Sequence, residues 1–190
     1  MTEDSDNGLR TALPWGAIIY AAIILAAIGT VLLIRAFVIE PFIIPTESMC
    51  DTIEVGDSVL AEKVTLELGG TVSQGDIIVF ENPEKDPEKD VLCKRVVARG
   101  GQTVDMRDGS VYIDGRKIAE DYAIGDTYPL YLGKGKHIAY PYEIPEGEIW
   151  VMGDNRENSA DSRYFGAIPA DSVIGICVMR YLPWNRIGFL

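Results

Sequence analysis

The sequence predicts a mainly β domain, built from antiparallel sheets or an open barrel and preceded by one N-terminal transmembrane helix. Three observations predict it. "WGAIIYAAIILAAIGTVLLI", residues 15–34, carries no charge; about 20 helical residues span roughly 30 Å, the thickness of the hydrocarbon core. Beyond it, short runs of branched and aromatic residues alternate with Gly, Pro and Asp, the punctuation of strands and turns. No stretch there repeats the strand–helix–strand alternation of a parallel sheet.

A helix buried in a soluble core would show an amphipathic face, which residues 15–34 lack. A cleaved secretory signal would have a shorter apolar region behind a basic start, whereas this N-terminus, "MTEDSDNGLR", is acidic. An uncleaved anchor over residues 14–37 fits best, with a tail at 1–13 and a β-rich domain at 38–190. Trp15 and Tyr20 suit the interface. Arg10 and Arg35 fence the span one on each side, so the positive-inside rule leaves its orientation open.

In the β part, "DSVLAEKVTLEL" (57–68), "DIIVFEN" (76–82), "VLCKRVVA" (91–98), "SVYIDGRKI" (110–118), "EIWVMG" (148–153) and "SVIGICVMRYL" (172–182) each read as strands. The paired "GDSVL" and "GDIIVF" are Gly-Asp turns launching strands rather than an internal repeat. "ENPEKDPEKD" (81–90) reads as a solvated loop, and residues 169–172 as a turn of helix.

Composition narrows the chemistry. Of 190 residues, 47% are hydrophobic and 24% charged, an ordinary globular balance. The net charge of −12 lies mostly beyond residue 40 and would repel phosphate backbones, which argues against nucleic acid as a partner. Cys50, Cys93 and Cys177 are odd in number and widely spaced; they match no zinc pattern and allow at most one disulfide. His137 is the single histidine, so it is the one possible base for a Ser-His-Asp triad. No metal and no cofactor are expected.

Three stretches carry reactive groups. In a strand over "DVLCKRVVA" (90–98), Lys94 shares a face with Leu92 and Val96 while Arg95 points the other way. A lysine on an apolar face either reaches out to water or loses its proton more readily, and a neutral lysine can act as a general base. Ser48, in "PTESMC", starts a Ser-x-x-Asp pattern and could simply cap a short helix. It becomes a nucleophile only if a base comes within about 3 Å. "VMGDNRENSADSRYFGAIP" (151–169) packs Ser159, Asp161, Ser162 and Arg163 between apolar flanks, either as a plain surface loop or as a partly buried polar network. Asp161 and Arg163 are close enough in sequence to pair.

Taken in order behind the anchor, these stretches resemble a bacterial type I signal peptidase. "RAFVIEPFIIPTESM" is similar to the segment that leaves the membrane and presents the nucleophile. "GDSVLAEK" and "GDIIVF" match early strands, "KRVV" the strand of the base, "GDNRENSADSRYFG" the most diagnostic motif, and "YLPWNRIG" the C-terminal region. The resemblance implies a signal-peptidase-like fold and a membrane-bound serine endopeptidase acting on secreted preproteins with small residues before the cut. By motif position Ser48 is the nucleophile and Lys94 its base. Thr46, where serine is usual, joins the Ser48 N–H in the oxyanion hole. Ser159 hydrogen-bonds and orients the Lys94 amine, with Asp161 and Arg163 supporting it. Phe42, Ile44, Met49, Ile53 and Cys93 fall at substrate-binding positions, Cys93 in place of a branched aliphatic. The implied location is the cell membrane, single-pass, N-terminus cytoplasmic and catalytic domain on the outer face against the bilayer. The chain departs from the pattern at Asp51 (for Pro), Ile53 (for Leu), "ARGGQ" after the lysine strand, and Gln74 (for Arg). Two further readings are a Ser-Lys protease specialised for itself or a dedicated partner, and a non-enzymatic anchored β-domain for protein interaction.

Overall fold

The computed structural model describes residues 15–85, 90–130 and 138–190. The tail at 1–13, Pro14, part of the charged loop at 81–90 and His137 lie outside the described residues. The chain divides into two units, residues 1–36 and 37–190. In the first, helix α1 (Trp15–Phe37) runs 23 residues with no buried side chain. Among the described residues it is the one helix long and apolar enough to cross a membrane.

The second unit is mainly β. Its strands are β1 (Ile39–Ile43), β2 (Ser58–Glu62), β3 (Ile77–Glu81), β4 (Val91–Arg99), β5 (Thr103–Arg107), β6 (Ser110–Ile113), β7 (Arg116–Lys117), β8 (Tyr142–Glu143), β9 (Glu148–Met152), β10 (Ile168–Pro169), β11 (Val173–Leu182) and β12 (Gly188–Phe189). The larger sheet runs β1-β2-β11-β3-β4-β9-β10, with β12 on β11; the smaller runs β7-β6-β5-β8. Every pairing in both sheets is antiparallel, as the sequence predicts.

Three apolar clusters hold the sheets. Ile78, Phe80, Val96, Val151 and Phe165 form one, and Val97, Ala98, Val104, Val111 and Trp150 a second beneath the smaller sheet. Strand β4 feeds both, because Val96 and Val97 project to opposite faces. The third cluster joins Ile44, Met49, Ile53, Val59 and Val79.

Some elements differ from the sequence expectation. "DSVLAEKVTLEL" gives β2 and then a short helix α2 (Val64–Glu67), ended by Gly69 with φ +78. The run alternates like a strand, but Gly-Gly supplies a left-handed stop. "SVYIDGRKI" is a hairpin rather than one strand: Asp114 and Gly115 take φ 52 and 77, the two positive angles a tight hairpin turn requires. Strand β1 contains Pro41 and, among the described residues, pairs only with β2, the edge position where a strand tolerates proline. Residues 170–172 form a 3₁₀ turn, close to the expected helical turn.

Candidate active site

Ser48 lies in a 3₁₀ turn over Glu47–Met49, entered through an extended Thr46 (φ −129, ψ 157). The Ser-x-x-Asp capping alternative is not what forms: Ser48 sits inside the turn, and no side chain caps it. The turn is bolted down from below. Met49 and Ile53 are fully buried, and the Ile53 N–H donates to the Met49 carbonyl at 2.8 Å. Burying two such side chains contributes roughly 2 kcal/mol each. That inward turn of Met49 leaves Ser48 facing Lys94.

Lys94 stands on β4 opposite Ile78 of β3 and is 3% exposed; Ser48 is 6% exposed. The Lys94 Nζ meets Ser48 Oγ at 2.6 Å and also donates to the Cys93 carbonyl at 3.1 Å. A solvated edge lysine is therefore not what the strand presents. Thr46 Oγ1 lies 3.3 Å from Ser48 Oγ. Asp51, where Pro was expected, is exposed, so its carboxylate is solvated rather than turned on the serine.

The 153–163 loop closes over the turn and is a buried network, not a surface loop. Asp161 and Arg163 are 0% and 1% exposed and pair through two bonds of 2.9 Å. Asp161 also accepts the Gly153 N–H at 3.1 Å and caps helix α3 (Ser162–Phe165) by accepting the Arg163 N–H. Paired, hydrogen-bonded charges of this kind tolerate burial that a lone charge would not. The loop reaches Ser48 directly: the Asn155 N–H donates to the Ser48 carbonyl at 3.1 Å, and its side chain to the Glu47 carbonyl at 3.2 Å. Asn158 holds the Glu47 carboxylate at 3.0 Å.

Ser159 corrects an expectation. Its Oγ is buried but forms no hydrogen bond, so the bond to Lys94 is not made in this structure. The side chain instead packs on Gly153, where an added Cβ would collide with Ser159 and with the Ser48 carbonyl. The substrate positions split as well. Phe42, Ile44 and Cys93 line a cleft of 280 Å³ that also takes in Thr46 and Lys94. Met49 and Ile53 do not line it, because the turn drives both into the core beneath. A wider hollow of 440 Å³ beside α2 contains neither Ser48 nor Lys94.

Several supporting residues had no signal in the sequence. Arg95, on the other face of β4 from Lys94, grips fully buried Asp154 through bonds of 2.8 and 2.6 Å. Thr52 donates to the same carboxylate at 2.6 Å, and Arg180 donates to the Thr52 carbonyl at 2.6 Å. These partners are 59 to 128 positions apart in sequence, which only the fold brings together. All three cysteines are free. Burial, a bond to Glu54 at 3.1 Å and neighbouring carboxylates push the Cys50 thiol up to about 11. A hydrogen bond from Cys177 holds the Cys93 thiol below its ordinary value.

Comparison with known proteins agrees with this architecture. The profile of the family described as signal peptidase, peptidase S26, matches residues 17–184. A probable signal peptidase I-1 of Synechocystis sp. is 37% identical over 173 residues, 88% of this chain and 84% of that protein. Signal peptidase I T of Bacillus subtilis is 34% identical, covering 94% of this chain and 89% of its own. Signal peptidase I of Bacillus licheniformis is 33% identical across 98% of both. The chain belongs to the signal peptidase family, peptidase S26.

Proposed function

We propose that this membrane-anchored peptidase removes signal peptides from exported preproteins with Ser48 as nucleophile and Lys94 as general base. The 2.6 Å contact between two buried side chains is the observation that carries the reading. Burial disfavours the ammonium form, and a neutral amine at that distance can take the serine proton. The freed oxygen attacks the scissile carbonyl. The resulting oxyanion is met by the Ser48 N–H and by Thr46 Oγ1, already within reach of the serine. Protonated Lys94 then gives its proton to the departing amine of the mature protein, leaving an acyl-enzyme. Neutral again, it activates a water that releases the signal peptide as a carboxylate.

Two free strand edges support a mode of substrate docking. Among the described residues β1 pairs only with β2, and β9 covers β4 only from Arg95 onward. A preprotein can therefore enter extended between residues 42–46 and 90–94, adding as a strand. Phe42, Ile44 and Cys93 leave room there for small side chains before the cut. The polypeptide crosses the bilayer once, with its N-terminus in the cytoplasm and the β domain on the outer face. No step requires a metal, so a chelator should leave cleavage unchanged; inhibition reversed by added zinc would contradict this.

The decisive assay incubates purified protein in detergent with a preprotein. Ser48→Ala and Lys94→Ala should each lower kcat by about 10³-fold or more while circular dichroism stays unchanged. Lys94→Arg should fail too, because guanidinium keeps its proton. Wild-type rates in either alanine variant would refute the dyad.

A further inference from the structure

Residues 120–127, which follow β7, run alongside the 153–158 loop that holds Ser48, and neither the dyad nor the cleft explains their chemistry. Arg156, 2% exposed, donates to both Glu120 carboxylate oxygens at 3.0 and 2.5 Å, to Thr127 Oγ1 at 2.7 Å and to the Gly153 carbonyl at 3.0 Å. Its own carbonyl accepts from Arg163 at 2.8 Å. The Ile124 N–H donates to the Asp154 carbonyl at 2.8 Å, and its carbonyl accepts the Arg156 N–H at 2.9 Å. Asn155, held between those two bonds, is the residue whose N–H meets the Ser48 carbonyl. Tyr122 completes the set. Its hydroxyl donates to Glu120 at 3.1 Å, and its ring lies 4.1 Å from the guanidinium of Arg95, next to Lys94 in sequence.

We propose that Glu120, assisted by Tyr122, is a positioning residue that sets the Ser48–Lys94 distance through Arg156 and Arg95. The proposal rests on the Ser48–Lys94 reading. Removing the Glu120 charge leaves a buried guanidinium without its carboxylate. The 153–158 loop then loosens and the Ser48 carbonyl loses its fixed donor. Small displacements of reacting groups reduce turnover steeply. The cleft at 42–46 and 90–94 is built without these residues, so substrate binding should be spared.

The test measures kcat and KM for preprotein cleavage by the full chain, well below each variant's melting temperature. Glu120→Gln should lower kcat by about 10- to 100-fold, with KM within about threefold. Tyr122→Phe should show the same split, more weakly. Val111→Ala, in the core of the small sheet, is the control for stability lost without positioning, and should keep kcat within about threefold. If Glu120→Gln does not fold, Tyr122→Phe carries the test alone. Unchanged kcat in the variants, a KM rise matching the kcat fall, or an equal loss in Val111→Ala would each overturn the proposal. Failure of the dyad reading would look different: wild-type cleavage would be indifferent to Ser48→Ala on the same preprotein.

Discussion

Thr46 and Ser48 enter the proposed mechanism with separate tasks, and each can be tested alone. The Thr46 hydroxyl lies 3.3 Å from the Ser48 hydroxyl. Thr46→Val keeps the side chain's shape and deletes the donor. It should lower kcat by about 100-fold with little change in KM, as expected for a group that acts on the oxyanion rather than the bound substrate. Cleavage within about twofold of wild type would remove Thr46 from the oxyanion hole. Two residues after Ser48, Cys50 is a thiol held protonated. With its titration moved from 9.0 to about 11, the thiolate fraction at pH 8 falls about 100-fold. Iodoacetamide at pH 8 should therefore label Cys50 in folded protein at least that much more slowly than in urea, as read by peptide mass spectrometry. Equal rates would show that burial and the carboxylates of Glu54, Glu47 and Asp51 do not hold its proton.

The loop at 153–163 fits over the Ser48 turn because Gly153 has no side chain. A methyl there meets the Ser159 side chain, which can rotate, and the Ser48 carbonyl, which cannot move without moving Ser48 itself. Gly153→Ala should destabilise the domain by about 1–3 kcal/mol and reduce cleavage sharply. Adding Ser159→Gly relieves one of the two collisions, so the pair should regain part of the melting temperature but little of the activity. Recovery of both would place the damage at Ser159 alone. At this scale the sequence was legible where chemistry is local. β3, β4, β9 and β11 announce themselves as runs of branched residues, and Ser48, Lys94 and the Asp161–Arg163 pair sit in compact motifs. β5, with Asp105 and Arg107 in a five-residue strand, reads as loop, because its strand identity comes from pairing with β6 rather than from its own pattern. Met49 and Ile53 reverse their expected role for a related reason: a 3₁₀ turn, which no alternation rule describes, decides which way they face. Glu120–Arg156 and Arg95–Asp154 stayed invisible because charge pairs 36 and 59 positions apart leave no local trace.

For the molecule as a whole, the β domain carries a core of its own. Helix α1 buries no residue, and all three apolar clusters are drawn from residues 42–190. The ionic ties around the nucleophile, Arg95–Asp154 and Asp161–Arg163, also lie wholly within the β domain. A chain truncated to residues 38–190 should thus fold and melt within a few degrees of the full protein. It should keep kcat on detergent-solubilised preprotein within about tenfold, since the reacting groups are held without the helix. Its penalty should appear on membranes, where the full chain shares the surface with its substrate and the truncated one must find it from solution; kcat/KM on vesicle-embedded preprotein should fall far more than on the solubilised form. Equal losses on both substrates, or a truncated chain that does not fold, would mean that the helix contributes to the catalytic domain itself rather than to its location.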